Sequence, residues 1–172
     1  MVGSSFFRSF SSFGVCGSRV AGSHACSVAS VVVPFVAGIG TVSCGCASGV
    51  DAVARPLASS VFMVSSFGFG RAAFARRSVA FVRALAVSPF PVLLVFPFSS
   101  CPVGLAPSRS SSRCFSGFGS GSWASCAFAV GLGVPVVVFG LSLEDLPVWD
   151  GAWSVVSVAG FSGFVFVPSS LF

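Results

Sequence analysis

Three short segments rich in glycine and serine, two of them ending on a charged residue, have the makings of a phosphate seat. They are Gly17-Ser18-Arg19, the run from Gly45 through Gly49 to Asp51, and Gly119-Ser120-Gly121-Ser122. Glycine lets a backbone adopt positive φ and come close to a ligand. A helix starting behind such a loop offers free N–H groups and the positive end of its dipole to an anion. Arg19, directly after a glycine turn, is the best single candidate for an anion contact, since a guanidinium forks onto phosphate oxygens. Asp51 opens a helix, where a carboxylate also simply suits the dipole. Arg76 is balanced between a phosphate contact and the polar face of a helix, and for Arg77 the solvated polar face is preferred.

Acid–base chemistry has few candidates. The chain has no Lys or Tyr, one His (His24) and four carboxylates (Asp51, Glu144, Asp145, Asp150). The seven cysteines, at 16, 26, 44, 46, 101, 114 and 126, are an odd count and contain no CxxC pair. With one histidine to join them, a zinc site is not expected. A nucleophilic thiol at Cys44 or Cys46 would want a histidine partner. Small buried thiols in a reducing, cytoplasmic setting are the expected state. No catalytic residue, metal or cofactor is assigned.

All nine positive charges are Arg, and the net charge is +5, which suits an anionic partner. Asn and Gln are also absent, and Ile39 and Thr41 are the sole residues of their types. The missing residues share adenine-rich codons, so nucleotide bias accounts for them better than folding does. A spurious or decaying reading frame would carry the same bias and stands as one alternative.

Hydropathy alone points to a second alternative, a multi-pass membrane protein. Apolar residues make up 55% of the chain. Stretches 116–143 and 151–172 carry no charge and exceed the roughly 20 residues a bilayer needs. Their composition argues against it. Gly117, Gly119, Gly121, Gly131, Gly133 and Pro135 break up the first, and β-branched runs bounded by Gly and Pro fit strands buried on both faces. Over residues 71–86, Phe74, Phe81, Val82 and Leu85 gather on one side of a helix, with Arg76 and Arg83 opposite. Such a helix faces water. The first twelve residues have no proper apolar core for a secretory signal.

The elements that must position the loops follow from these periodicities. Strands are expected at 13–16, 40–44, 61–64, 91–96 and 135–139, with helices at 50–58, 71–86 and 121–130. Residues 22–36 are a poor helix candidate by composition, although their position asks for one. Strand–helix alternation of this kind predicts an α/β, Rossmann-like, mostly parallel sheet with helices on both faces. One domain over 1–140 is expected, with an irregular insertion at 97–119 and a C-terminal extension, 141–172, able to add edge strands at 155–158 and 164–167. All three loops then emerge at the carboxyl edge of the sheet, where open α/β sheets bind ligands.

The order of the loops resembles that of the DNA-processing protein A (DprA/Smf) family, within the wider superfamily of "lonely guy" (LOG) phosphoribohydrolases and SLOG nucleotide sensors. Gly17-Ser18-Arg19 resembles the GSR turn of that family. Residues 41–52 are similar to its "vSGgArGvDa" segment, 74–78 to "FPxRN", and 120–127 to "SGSlxTAxxA" or to the LOG loop. Residues 134–140 match the strand that follows. The resemblance spans roughly 13–140 and implies a phosphate-binding site at Gly17, Ser18, Arg19, Gly45, Gly49, Asp51, Arg76, Gly119, Gly121 and Ser122. It also implies that Asp51 fixes its loop or meets a ribose hydroxyl. Ser48 stands in place of the usual Arg, Ser78 in place of Asn, and Ser122 and Ser125 in place of Thr. Ser125 also occupies the position of the LOG catalytic Glu, which argues against N-glycosidic cleavage.

Two ligands follow. The leading expectation is a sensor-type protein binding a nucleotide or nucleotide derivative. The alternative is a DprA-like binder of single-stranded DNA that spreads Arg19, Arg76, Arg77, Arg109 and Arg113 along the backbone. A homo-oligomer is compatible with both.

Overall fold

In the computed structural model, residues 5–169 are described. The Val- and Leu-rich runs become strands of one sheet: β1 (Ser12–Gly17), β2 (Thr41–Gly45), β3 (Ser60–Phe62), β4 (Pro91–Phe96), β5 (Val136–Phe139), β6 (Gly151–Val158) and β7 (Phe161–Pro168). Their order is β3-β2-β1-β4-β5-β7-β6. The first five are parallel, with Phe13 opposite both Val42 and Val92. β7 joins β5 antiparallel, Val138 opposite Phe164, and β6 closes the hairpin at the edge. The fold is α/β and Rossmann-like.

Alternation along each strand divides the core into two layers. Val92, Leu94 and Phe96 pack with helix α1 (His24–Ala37) and α2 (Val50–Ala54); Leu93 and Val95 pack with α3 (Arg71–Ala86) and α5 (Gly121–Gly131). Both faces of the parallel strands are therefore dry, which is why they read as continuous apolar runs.

α1 forms although its Val-rich sequence has weak helix propensity. Val28, Ala29, Val32, Val33 and Val36 give it a fully buried stripe, and packing of such a stripe supplies most helical stability in proteins. Ser23 caps it by accepting from the Cys26 N–H. α2 is shorter than the expected 50–58. Pro56 brings no N–H to bond, and the chain turns into a 3₁₀ segment at Arg55–Leu57. The third strand starts at Ser60 and ends at Phe62, before a 3₁₀ turn at Val64–Phe67.

The insertion 97–119 has one regular turn, α4 (Ser111–Cys114), yet is pinned down. Trp123 Nε1 donates to the Ser99 carbonyl at 2.8 Å and Trp149 Nε1 to the Leu105 carbonyl at 2.9 Å. The C-terminal extension supplies more than edge strands, because β7 lies inside the sheet and only β6 is at its margin. Among the described residues, no helix is long and apolar enough to cross a membrane. The uncharged stretches behind the multi-pass alternative are spent on α5 with β5, and on the β6–β7 hairpin.

Candidate functional site

β1 and β4 lie side by side, while the chain after each runs to opposite flanks of the sheet. At such a switch point the loops diverge and leave a crevice at the carboxyl ends of the strands. A cleft of about 390 Å³ occupies it, within the range of small-molecule sites.

The loops after β1 and β2 are stitched together. The Ser18 N–H donates to the Phe96 carbonyl at 2.8 Å, and the Ser18 carbonyl accepts from the Val50 N–H at 2.9 Å. The Ser48 hydroxyl donates to the Arg19 carbonyl at 2.7 Å. Gly49 makes this crossing possible. It sits at φ +71°, and a Cβ there would strike the Ser18 carbonyl. Gly49 therefore shapes the site from behind and is not on the cleft wall.

The third loop brings the N-terminus of α5 to the cleft. Ser120 caps the helix by accepting from the Trp123 N–H, and the N–H groups of Gly121 and Ser122 have no acceptor within the helix. Ser125 spends its hydroxyl on the Gly121 carbonyl at 2.8 Å. The Arg19 guanidinium lies over the Phe74 ring at 4.4 Å, and its Nη2 is 3.9 Å from where a Gly121 Cβ would stand. A cation and a helix N-terminus thus meet at one corner. Among the described residues no hydrogen bond occupies the Arg19 guanidinium, so its donors are free for an anion.

At the other side of the cleft, Asp51 Oδ2 accepts from the Ala47 N–H at 3.0 Å and pairs with Arg77 Nη1 at 3.3 Å. Burial pushes the Asp51 carboxyl above the usual carboxylate range; Arg77 and the Ala47 N–H pull it back. Gly45 makes room for this pair, since a Cβ there would stand 2.5 Å from Arg77 Nη1. Arg77 Nε is buried with no hydrogen-bond partner. Burial and the nearby Asp51 raise the Cys16 thiol, and burial first, then Asp51, pushes Cys44 up to about 12. Both stay protonated at neutral pH, unlike a nucleophilic thiolate.

Of the candidate residues, the structure brings Gly17, Ser18, Arg19, Gly45, Asp51, Gly119, Gly121 and Ser122 to this cleft. Arg76 lies outside it: the side chain is exposed and its Nε donates to the Phe67 carbonyl at 2.8 Å. Arg77, expected in solvent, is the arginine that enters. It stands one helical turn from Ala73 and from Phe81, on the stripe α3 turns inward, and that spacing is the signal that could have found it. Ser78, which stands in place of the Asn of the "FPxRN" segment, also lines the cleft, as do Phe98 and Ser99, which carry no sequence signal of their own.

Among solved structures, the chain is similar to DNA processing protein A (DprA) from Streptococcus pneumoniae. The TM-score is 0.53 and the identity 15%, over 84% of this chain and 55% of that one. The chain carries a DprA-like, Rossmann-type fold. It spans a little over half the length of that DprA structure. No family model matches the sequence, and no curated protein does. The likeness to DprA is thus one of fold, and the chemistry of the cleft stands on its own residues.

Proposed function

We propose that this cleft binds a nucleotide or nucleotide derivative by its phosphate, as a sensor and not as a catalyst. The observation that carries the reading is the meeting of Arg19 with the start of α5 at the switch crevice. A phosphate there takes charge-assisted bonds from the guanidinium and from the Gly121 and Ser122 N–H groups. Gly17, Ser18 and Gly45 let the backbone close around it, and Asp51 accepts from a ribose hydroxyl. The engaged Ser125 hydroxyl and the protonated thiols support binding without catalysis.

Two observations favour single-stranded DNA as a second reading. One is the fold shared with DNA processing protein A. The other is Phe98, 66% exposed on the cleft wall, where a base has a ring to stack on.

Thermal unfolding with nucleotides separates the two. A ligand at a hundred times its Kd stabilises by about 2.7 kcal/mol, roughly 5–10 °C in Tm for a chain of this size. The expected result is a shift of that order that Arg19→Ala or Ser122→Asp abolishes. Arg109→Ala combined with Arg113→Ala, on the insertion, leaves it unchanged. The sensor reading fails if no nucleotide stabilises the protein while an oligonucleotide binds with a steep salt dependence that the double variant reduces by about 0.7 per lost contact.

A further inference from the structure

The loop after β2 carries a thiol that the cleft does not use. Cys46 is half-buried, and its sulfur accepts from two N–H donors. The Val64 N–H reaches it at 3.1 Å and Arg77 Nη1 at 3.7 Å. A thiol sulfur is a weak acceptor, so both donors are poorly served. The Arg77 side chain is 9% exposed, and its Nε is buried with no hydrogen-bond partner. A buried guanidinium and a backbone N–H thus meet at a sulfur where a strong acceptor is missing.

The neighbouring thiols are placed differently. Cys16 and Cys101 are half-buried too, and burial pushes both up, Cys101 to about 12. Cys44 lies two residues before Cys46 but packs in the layer of α1 and α2, its sulfur 3.9 Å from the Asp51 carbonyl. It points away from Cys46 and is not set to condense with it.

We infer that Cys46 is a site of reversible oxidation by hydrogen peroxide, its sulfenic acid held by Arg77 and the Val64 N–H. The sulfur attacks one peroxide oxygen, so an S–O bond forms and the O–O bond breaks. The thiol proton leaves with the departing hydroxide as water. Sulfur is oxidised by two electrons and the peroxide is reduced. The Arg77 cation stabilises the charge that passes from sulfur to the leaving oxygen. The oxygen that stays gives these donors the strong acceptor they lack. Two molecules of an external thiol return the sulfur to its reduced form, releasing their disulfide and water. Arg77 Nη1 also holds Asp51 Oδ2 at 3.3 Å. The oxidised sulfur therefore draws on the same guanidinium as the carboxylate at the base of the cleft.

The test treats the native full chain with hydrogen peroxide in excess dimedone and reads each cysteine by mass spectrometry. The expected result is a dimedone adduct on Cys46 ahead of every other cysteine, and none where dithiothreitol precedes dimedone. Loss of the free Cys46 thiol should run roughly tenfold faster in the native protein than in urea, which is what hydrogen bonds to the reacting sulfur are worth. Arg77→Met should bring the native rate down to the urea rate. The ratio of native to urea rates in the wild type decides the matter alone if that variant does not fold. A native rate at or below the urea rate overturns the proposal, as does earlier labelling of another cysteine. Oxidised Cys46 that dithiothreitol does not restore overturns its reversibility.

Discussion

Arg77→Met isolates the ion pair at the base of the cleft. The side chains of Arg77 and Asp51 are 9% and 6% exposed, so water screens little of their interaction. Removing one partner of a buried pair leaves the other charge uncompensated, at a cost of about 3–5 kcal/mol. That is a large part of the 5–15 kcal/mol a domain commonly has. The loss also acquires a pH dependence. Burial already raises Asp51 with Arg77 present, and without the guanidinium it rises further. Its folded value then lies well above the unfolded value of about 3.9. Between the two the native state binds more protons, so stability falls as pH rises, by at most about 1.36 kcal/mol per unit, and levels off above the folded value. The deficit of Arg77→Met is therefore greatest at pH 7 and shrinks on acidification toward pH 4. Adding Asp51→Asn removes both charges and the pH dependence, and should recover about half of the loss. Urea unfolding of wild type, both singles and the double at pH 4.5, 5.5 and 7 reads all of this. A deficit under about 1 kcal/mol at pH 7, or one that does not move with pH, would show that the pair is solvated and not structural.

Two further outcomes follow from the same site. Gly45→Ala drives a methyl group against Arg77 and Asp51, so urea unfolding should show a loss of about 1–3 kcal/mol together with loss of nucleotide-induced stabilisation; an unchanged midpoint would contradict the packing described here. Cys44 and Cys101 are both pushed up to about 12 by burial, which leaves about one thiol in ten thousand ionised at pH 8, against roughly a quarter for an ordinary thiol. Mass spectrometry after iodoacetamide should find both unmodified in the native protein and modified in urea, and fast native labelling of either would refute the assignment.

Much of the fold was legible because its signals are local. Gly and Pro bound the Val-rich runs, and the amphipathic span 71–86 matches α3 residue for residue. The three loops fall at the carboxyl ends of strands because strand–helix alternation leaves them nowhere else. What was not legible depends on distant contacts. α1 owes its helix to a buried stripe that propensity cannot register. β7 finds its place beside β5 through antiparallel pairing across the chain. Arg77 is the clearest case. Its type argued for water, and only the pairing with Asp51, twenty-six residues earlier, makes its burial tolerable.

The composition bears on the cleft in a way that the bias alone does not explain. Val replaces Ile in the parallel strands at little cost, since both are β-branched and suit a surface buried on both faces. Charges are few enough that each placement matters. Of the four carboxylates, Glu144, Asp145 and Asp150 lie between β5 and β6, away from the cleft. Asp51 is the one that lines it, and its Oδ2 is engaged by Arg77 and the Ala47 N–H. Arg19 makes no ion pair among the described residues, although its charge acts on Asp51 across the cleft. Arg19, Gly119 and Gly121 are exposed at this corner, so it is reached directly from solvent. A neutral ligand would leave that corner unpaired, and a phosphate would complete it.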